Sequence, residues 1–189
     1  MTMPTEKLLT LRPVEKEDLP FLRDLANDPV VRANVVGWDW PLSLAGQEKW
    51  FDRGIDTSTT RRFIVEGDDG EPVGLTGLWD INWRNRTAKS AVKIGGRENL
   101  RGRGYGKRAV WTIMDFAFKD VGLNRLYSTI LSFNEASIAT FIDKSGWKNE
   151  GVARQHVFRD GEFWDLIHIG ILREDYEQWL RIVGNEANR

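Results

Sequence analysis

Arg101-Gly102-Arg103-Gly104-Tyr105-Gly106 stands between a strand-like run, Ser90-Ala91-Val92-Lys93-Ile94, and a long helical pattern, Lys107 to Val121. Glycines at alternate positions remove Cβ atoms where a strand turns into a helix. A bulky anion can then reach bare backbone N–H groups at the positive end of the helix dipole. Arg101, Arg103, Lys107 and Arg108 surround the turn with positive charge. The chemistry indicated is a pyrophosphate cradle.

Other phosphate-binding loops fit less well. The dinucleotide fingerprint needs G-x-G-x-x-G and an acidic residue ending a later strand, and neither is present. The P-loop pattern G-x-x-x-x-G-K-[ST] is absent. The match is R-x-x-G-x-G, with Arg101, Gly104 and Gly106 in its fixed places. It resembles the acetyl-CoA-binding motif of the GNAT superfamily of N-acetyltransferases. A basic glycine-rich turn without a ligand is the competing reading, and the rest of the chain argues against it.

Upstream of the motif, Leu8 to Arg12 reads as a strand, and Asp18-Leu19-Pro20 starts a helix with Phe21, Leu22 and Leu25 on one face. Val30 to Val36 forms a short helix. Gly37-Trp38-Asp39-Trp40-Pro41 is an aromatic loop, and Ser43 caps a further helix carrying Leu44, Gln47, Trp50 and Phe51. Arg62 to Glu66, Val73 to Trp83 and Thr87 to Ile94 read as strands, the last two an antiparallel hairpin.

Downstream, Ala109, Val110, Ile113, Met114 and Ala117 recur with a helical period. Leu126 to Leu131 is a strand. Asn134 caps a helix that turns Ile138, Phe141 and Ile142 inward and stops at Gly146. Val152 to Phe158 and Phe163 to Ile171 flank Asp160-Gly161, a strong hairpin signal. A last helix runs from Glu174 to Val183. The expectation is one α+β domain over residues 1–189, disordered at about 1–6 and 184–189.

The chain has 189 residues, 41% hydrophobic and 29% charged, with a net charge of −1, which suits a globular domain and lacks a basic nucleic-acid footprint. It contains no cysteine, excluding disulfides, thiolate metal sites and a cysteine nucleophile. Two histidines, His156 and His168, leave little for a metal site and lie in apolar strands, which favours packed side chains. No metal is expected. The N-terminus lacks the apolar core of a signal peptide and no run reaches transmembrane length, so the expected location is cytoplasmic, with no membrane or nucleic-acid partner.

The resemblance to the GNAT superfamily spans Leu11-Arg12-Pro13 through Leu166-Ile167-His168-Ile169, and is strongest with the branch of ribosomal-protein N-terminal and spermidine acetyltransferases. Arg61 to Glu66, Asn134-Glu135-Ala136-Ser137-Ile138 and Phe158 to Asp165 support it. The resemblance implies a twisted mixed sheet splayed near its middle, flanked by helices, with acetyl-CoA in the splay. It implies that Ile94, Gly95 and Gly96 pair with the pantetheine arm, one N–H polarising the thioester carbonyl. Arg101, Gly102, Arg103, Gly104, Tyr105, Gly106 and Lys107 would hold the pyrophosphate, and Asn134 would face the cofactor while also capping its helix.

The catalytic residues depart from the pattern. Relatives carry a Tyr whose hydroxyl protonates the leaving thiolate, and here Phe141 stands in that place, with one extra residue before Gly146-Trp147. A Phe donates no proton. A thiol titrates at about 8.5, so the thiolate is already a fair leaving group, and water, Ser137 or Thr140 are the remaining donors. The Glu that some relatives carry on the strand before the glycine motif is also missing from Lys89-Ser90-Ala91-Val92-Lys93. An acceptor ammonium titrates near about 10, and Asp80 is the best remaining base to collect its proton.

Nine tryptophans are many for this length. Trp38, Trp40, Trp79, Trp83 and Trp164, with Asp39, form the expected acceptor site, suited to stacking or cation–π contact. The function expected is direct transfer of an acetyl group from acetyl-CoA to a primary amine of a polyamine, amino sugar, antibiotic or protein N-terminus. The runner-up is an acyl-CoA-binding regulator or degenerate member of the family. A homodimer is compatible with this branch.

Overall fold

The computed structural model describes residues 7–53, 57–95, 100 and 102–186. Its strands are β1 (Thr10–Pro13), β2 (Arg61–Glu66), β3 (Pro72–Asn82), β4 (Thr87–Ile94), β5 (Arg125–Leu131), β6 (Lys148–Arg159) and β7 (Glu162–Leu172). The helices are α1 (Leu19–Asn27), α2 (Pro29–Asn34), α3 (Leu44–Asp52), α4 (Tyr105–Asp115), α5 (Glu135–Ile138) and α6 (Arg173–Glu186). All seven strands join one mixed sheet in the order β1-β2-β3-β4-β5-β7-β6. The α+β class with a mixed sheet and flanking helices is the one expected.

The sheet opens at β4 and β5, which run parallel. They pair through Thr87–Arg125, Ala88–Leu126 and Lys89–Tyr127. Beyond that point β4 follows β3 as far as Gly74–Ile94, while β5 follows β7 as far as Leu131–Leu166. The two halves of the sheet therefore separate. This is the expected splay.

Separate apolar clusters hold the two faces. On one, α4 and α6 bury Val110, Ile113, Met114, Tyr176 and Trp179 against Leu78, Leu126 and Ile169. On the other, Leu19, Leu22 and Leu25 of α1 cover Ile64 and Leu75. Burial at roughly 25 cal/mol per Å² of apolar surface drives both layers. α4 earns its place by periodicity, with a buried stripe that includes Ala109, Val110, Ile113 and Met114.

Several boundaries differ from the sequence expectation, each for a local reason. The first strand starts at Thr10 instead of Leu8, because the Leu9 N–H donates to Thr112 Oγ1 at 3.1 Å and docks that segment on α4. The long helical pattern is α-helical only to Asp115 and then widens into a π-turn, Phe116–Asp120, closed by Val121 N–H to Phe116 O at 3.0 Å. That turn sets Phe116 edge-on to Phe63 and stacks Phe118 on Tyr176. β6 starts at Lys148, directly after the buried Trp147, and α6 continues through Gly184 to Glu186, where a disordered end was expected.

Candidate active site

The glycine turn builds one wall of a groove. Gly102 and Gly104 have φ of 74° and 72°, a left-handed conformation that side chains rarely adopt. Gly104 is the N-cap of α4 with no side-chain cap, and the first helical bond runs from Arg108 N–H to Gly104 O at 3.0 Å. The N–H groups of Tyr105 and Gly106 precede that first bond, at the open start of the helix. A Cβ at Gly102 or Gly106 would meet no atom within 4 Å. Gly96 and Arg101 lie outside the described residues.

The groove, about 640 Å³, is lined by Ile94, Gly95, Gly102, Gly104, Tyr105, Gly106, Lys107 and Asn134, eight of the residues singled out in the sequence. The charges around it are arranged differently from the expectation. Arg108 turns away and grips Asp68 through two hydrogen bonds of 2.9 and 2.6 Å, with its Nε on Lys7 O. That hydrogen bond holds the Asp68 carboxyl below its ordinary range. Arg103 lies over the Tyr105 ring at 5.1 Å and is not in the groove lining. The Tyr105 ring itself is buried against Leu9, Val65, Val73 and Ala109.

Past the splay point, β4 has an open edge. Gly95 N–H donates to Val73 O at 2.8 Å, so it faces β3. Backbone direction alternates along an antiparallel strand, so the groups turned toward the open edge belong to Val92 and Ile94. The N–H of Gly95, one of the expected contacts to the pantetheine arm, is thus already taken.

Across the splay, Asn134 accepts from Ser137 N–H at 3.0 Å as the cap of α5 and lines both the groove and the adjoining cavity. The chain then forms a second π-turn, Ala139–Asp143. It absorbs the extra residue noted before Gly146-Trp147, since a π-turn carries one residue more than an α-turn. Phe141, 7% exposed, packs edge-on to Trp147 at 5.1 Å and lines both cavities.

The space beyond the splay continues as a cavity of about 290 Å³ with Trp79, Asp80, Lys89, Lys93 and Ser128 in its wall. Next to it is a third, about 400 Å³, lined by Trp38, Asp39, Trp40, Trp50, Arg62, Trp79 and Lys93. Asp80 sits at an irregularity of β3 between Trp79 and Asn82 with φ of 52°, a conformation costing about 1–2 kcal/mol for most residues and less for Asp. Its charge is felt by Tyr127 on β5, whose hydroxyl is pushed above its ordinary pKa first by burial and then by Asp80. Asp39 is bonded to Arg159 at 2.6 Å.

An acetyltransferase (GNAT) domain matches residues 9–148. The chain belongs to this family. It is 30% identical over 175 residues to the spermidine N(1)-acetyltransferase of Escherichia coli, covering 92% of this chain and 91% of that protein. It is 28% identical over 173 residues to an uncharacterized N-acetyltransferase, YokL, of a Bacillus subtilis prophage, covering 92% and 94%. The crystal structure of the Vibrio cholerae spermidine N-acetyltransferase in complex with CoA and spermine superposes with a TM-score of 0.81 at 25% identity, over 91% of this chain and 99% of that one. The protein is an acetyl-CoA-dependent N-acetyltransferase.

The acetyltransferase site fits its co-substrate on the side chains and backbone present: open glycine positions, the N–H groups at the start of α4 and an open strand edge. Other sequence candidates are placed elsewhere. Trp83 is 54% exposed with its Nε1–H on Ser58 O, and Trp164 packs edge-on to Phe133. Neither lines these three cavities. His156 and His168, expected to be packed, are both exposed.

Lys93 is the residue that the sequence reading passed over. It lines all three cavities. Its Nζ lies 4.8 Å from the Trp79 ring and 5.2 Å from the Trp38 ring. Burial first, and then the charges of Lys89 and Arg62, together lower its pKa from the ordinary 10.5 to about 8. A lone lysine in the apolar stretch Ala91 to Ile94 was the available signal.

Proposed function

We propose that this acetyltransferase acetylates a small-molecule primary amine in the cleft formed by Trp38, Asp39, Trp40 and Trp79. Acetyl-CoA, when bound, supplies an activated acetyl thioester. Gly102, Gly104, Gly106 and the N–H groups of Tyr105 to Lys107 would hold its pyrophosphate, with Lys107 adding charge, and Val92, Ile94 and Asn134 would align the arm. An outward N–H on β4 donates to the carbonyl oxygen, where negative charge builds. Asp80 receives the proton that the acceptor ammonium must lose before it can attack.

The observation that carries this reading is the adjacency of the three cavities, which share lining residues. The groove at the start of α4 and the aromatic cleft meet in the splay, with Lys93 and Phe141 in the shared walls. Acceptor cavities of about 290 and 400 Å³ suit a small molecule. The relatives named as spermidine acetyltransferases support an amine of that size. Thiol release from acetyl-CoA across a panel of polyamines, amino sugars, amino acids and short peptides tests it. Binding of CoA with no turnover on any of them sinks it. A homodimer and a cytoplasmic location belong to the same proposal, and light scattering and cell fractionation check them.

A further inference from the structure

The acceptor cleft already contains a cation. Trp79 and Lys89 are paired across β3 and β4, as are Leu75 and Lys93. Directly opposed residues share a face of a sheet, so Lys93 projects on the α1 side with Leu75, into the tryptophan-walled cleft. Val92, its neighbour, packs on the α4 side. Lys93 is held over two indole rings, the place an incoming ammonium would take in an aromatic box. A resident ammonium and an incoming one exclude each other.

The charges near Lys93 give it no relief. Lys89 on β4 and Arg62 on β2 both act on it, and both are positive. Of the carboxylates lining these cavities, Asp39 from the loop before α3 is bonded to Arg159. Asp80 on β3 lines the cavity that Lys89 also lines. Among the described residues no carboxylate pairs with Lys93. A half-buried ammonium held against two indole rings, with no carboxylate paired to it among the described residues, is a site that an anion completes.

We propose that the acceptor is an amine that also carries an acidic group, a carboxylate or a phosphate, and that the Lys93 ammonium receives this group. The inference rests on the acceptor cleft proposed above. It separates this enzyme from one built for spermidine, in which every charge on the acceptor is positive. The same cation lowers the pKa of the acceptor ammonium by repulsion, which eases its deprotonation by Asp80.

Matched acceptors test the idea by thiol release from acetyl-CoA: γ-aminobutyrate against butylamine, phosphoethanolamine against ethanolamine, and spermidine. The acidic member of at least one pair should show kcat/KM higher by about tenfold or more, the scale of one charge-assisted contact. The carboxylate and phosphate pairs tell which anion is used. In Lys93→Met, and in Lys93→Gln if the first fails to fold, the ratio should fall toward one, mainly through KM. Tryptophan emission from Trp38 and Trp79 gives a second readout without turnover, because the acidic probe should perturb it in the wild type and not in the variant.

Spermidine or the neutral amines preferred by the wild type, or a ratio unchanged in both variants, overturns the inference and leaves the acetyl-transfer reading intact. Acidic probes that bind through Lys93 but are never acetylated, while another amine is, overturn the inference and leave the acetyl-transfer reading intact; if no amine is acetylated, both fall. No emission change and no turnover with either acidic probe overturns the inference.

Discussion

The two ends of this active site recognise their ligands in different ways. At the proposed donor end, the groove offers backbone: N–H groups at the start of α4, glycines that leave space, and the open edge of β4. At the proposed acceptor end, the cavity walls offer side chains from β2, β3, β4 and the loop after α2. A backbone cradle accepts any bulky anion of the right shape, whereas Trp38, Trp79, Lys93 and Asp80 set charge and shape together. The proposed site thus makes donor recognition a property of the fold, and acceptor choice a property of a few side chains.

The largest effect that would break this contrast is at Asp80. Asp80→Asn keeps a residue that tolerates positive φ and removes the base, so kcat should drop by roughly 10²–10³-fold with CoA affinity unchanged in calorimetry. A drop in both would show that the two ends are not separable. At the donor end, Gly106→Val adds atoms where a Cβ meets nothing within 4 Å, so the fold should survive. Affinity for CoA should fall on the order of 100-fold, with the melting temperature near that of the wild type.

A smaller effect sharpens the acceptor side. The Lys93 pKa is lowered to about 8, so the unfolded chain binds more protons than the folded one between about 8 and 10.5. Stability must then rise with pH across that window. Lys93→Met should flatten this rise by on the order of 1 kcal/mol, seen as converging urea midpoints of the two proteins at pH 10. The smallest expected change is at Arg159. Its loss frees Asp39 and the aromatic loop, so Arg159→Ala should raise acceptor KM a few-fold, roughly the scale of a partly exposed ion pair, without altering KM for acetyl-CoA.

How much of this was legible in the chain follows from which forces act locally. The α4 stripe, the Asp160-Gly161 hairpin and the glycine turn each encode their geometry within a few residues. Arg108 shows where that ends. In the chain it stands beside the cradle, yet it pairs with Asp68, 40 residues away. Gly95 shows the same at the backbone level, since register with Val73 decides which way its N–H points. The Phe141 shift was readable as an extra residue, but its solution as a π-turn depends on the packing of Phe141 on Trp147.

The sequence by itself determined the family and the donor, and it singled out the glycine turn proposed to hold the pyrophosphate, because steric freedom at glycine and the start of a helix are local facts. Only the tertiary structure decided which side chains line the aromatic cleft. The divergence of β4 from β5 opens the cleft, and strand register sets Lys93 beside Trp79. The loop after α2 brings Trp38 over the same ammonium. Charge in a desolvated cleft depends on which distant residues share it, and that is settled only when the sheet closes on its helices.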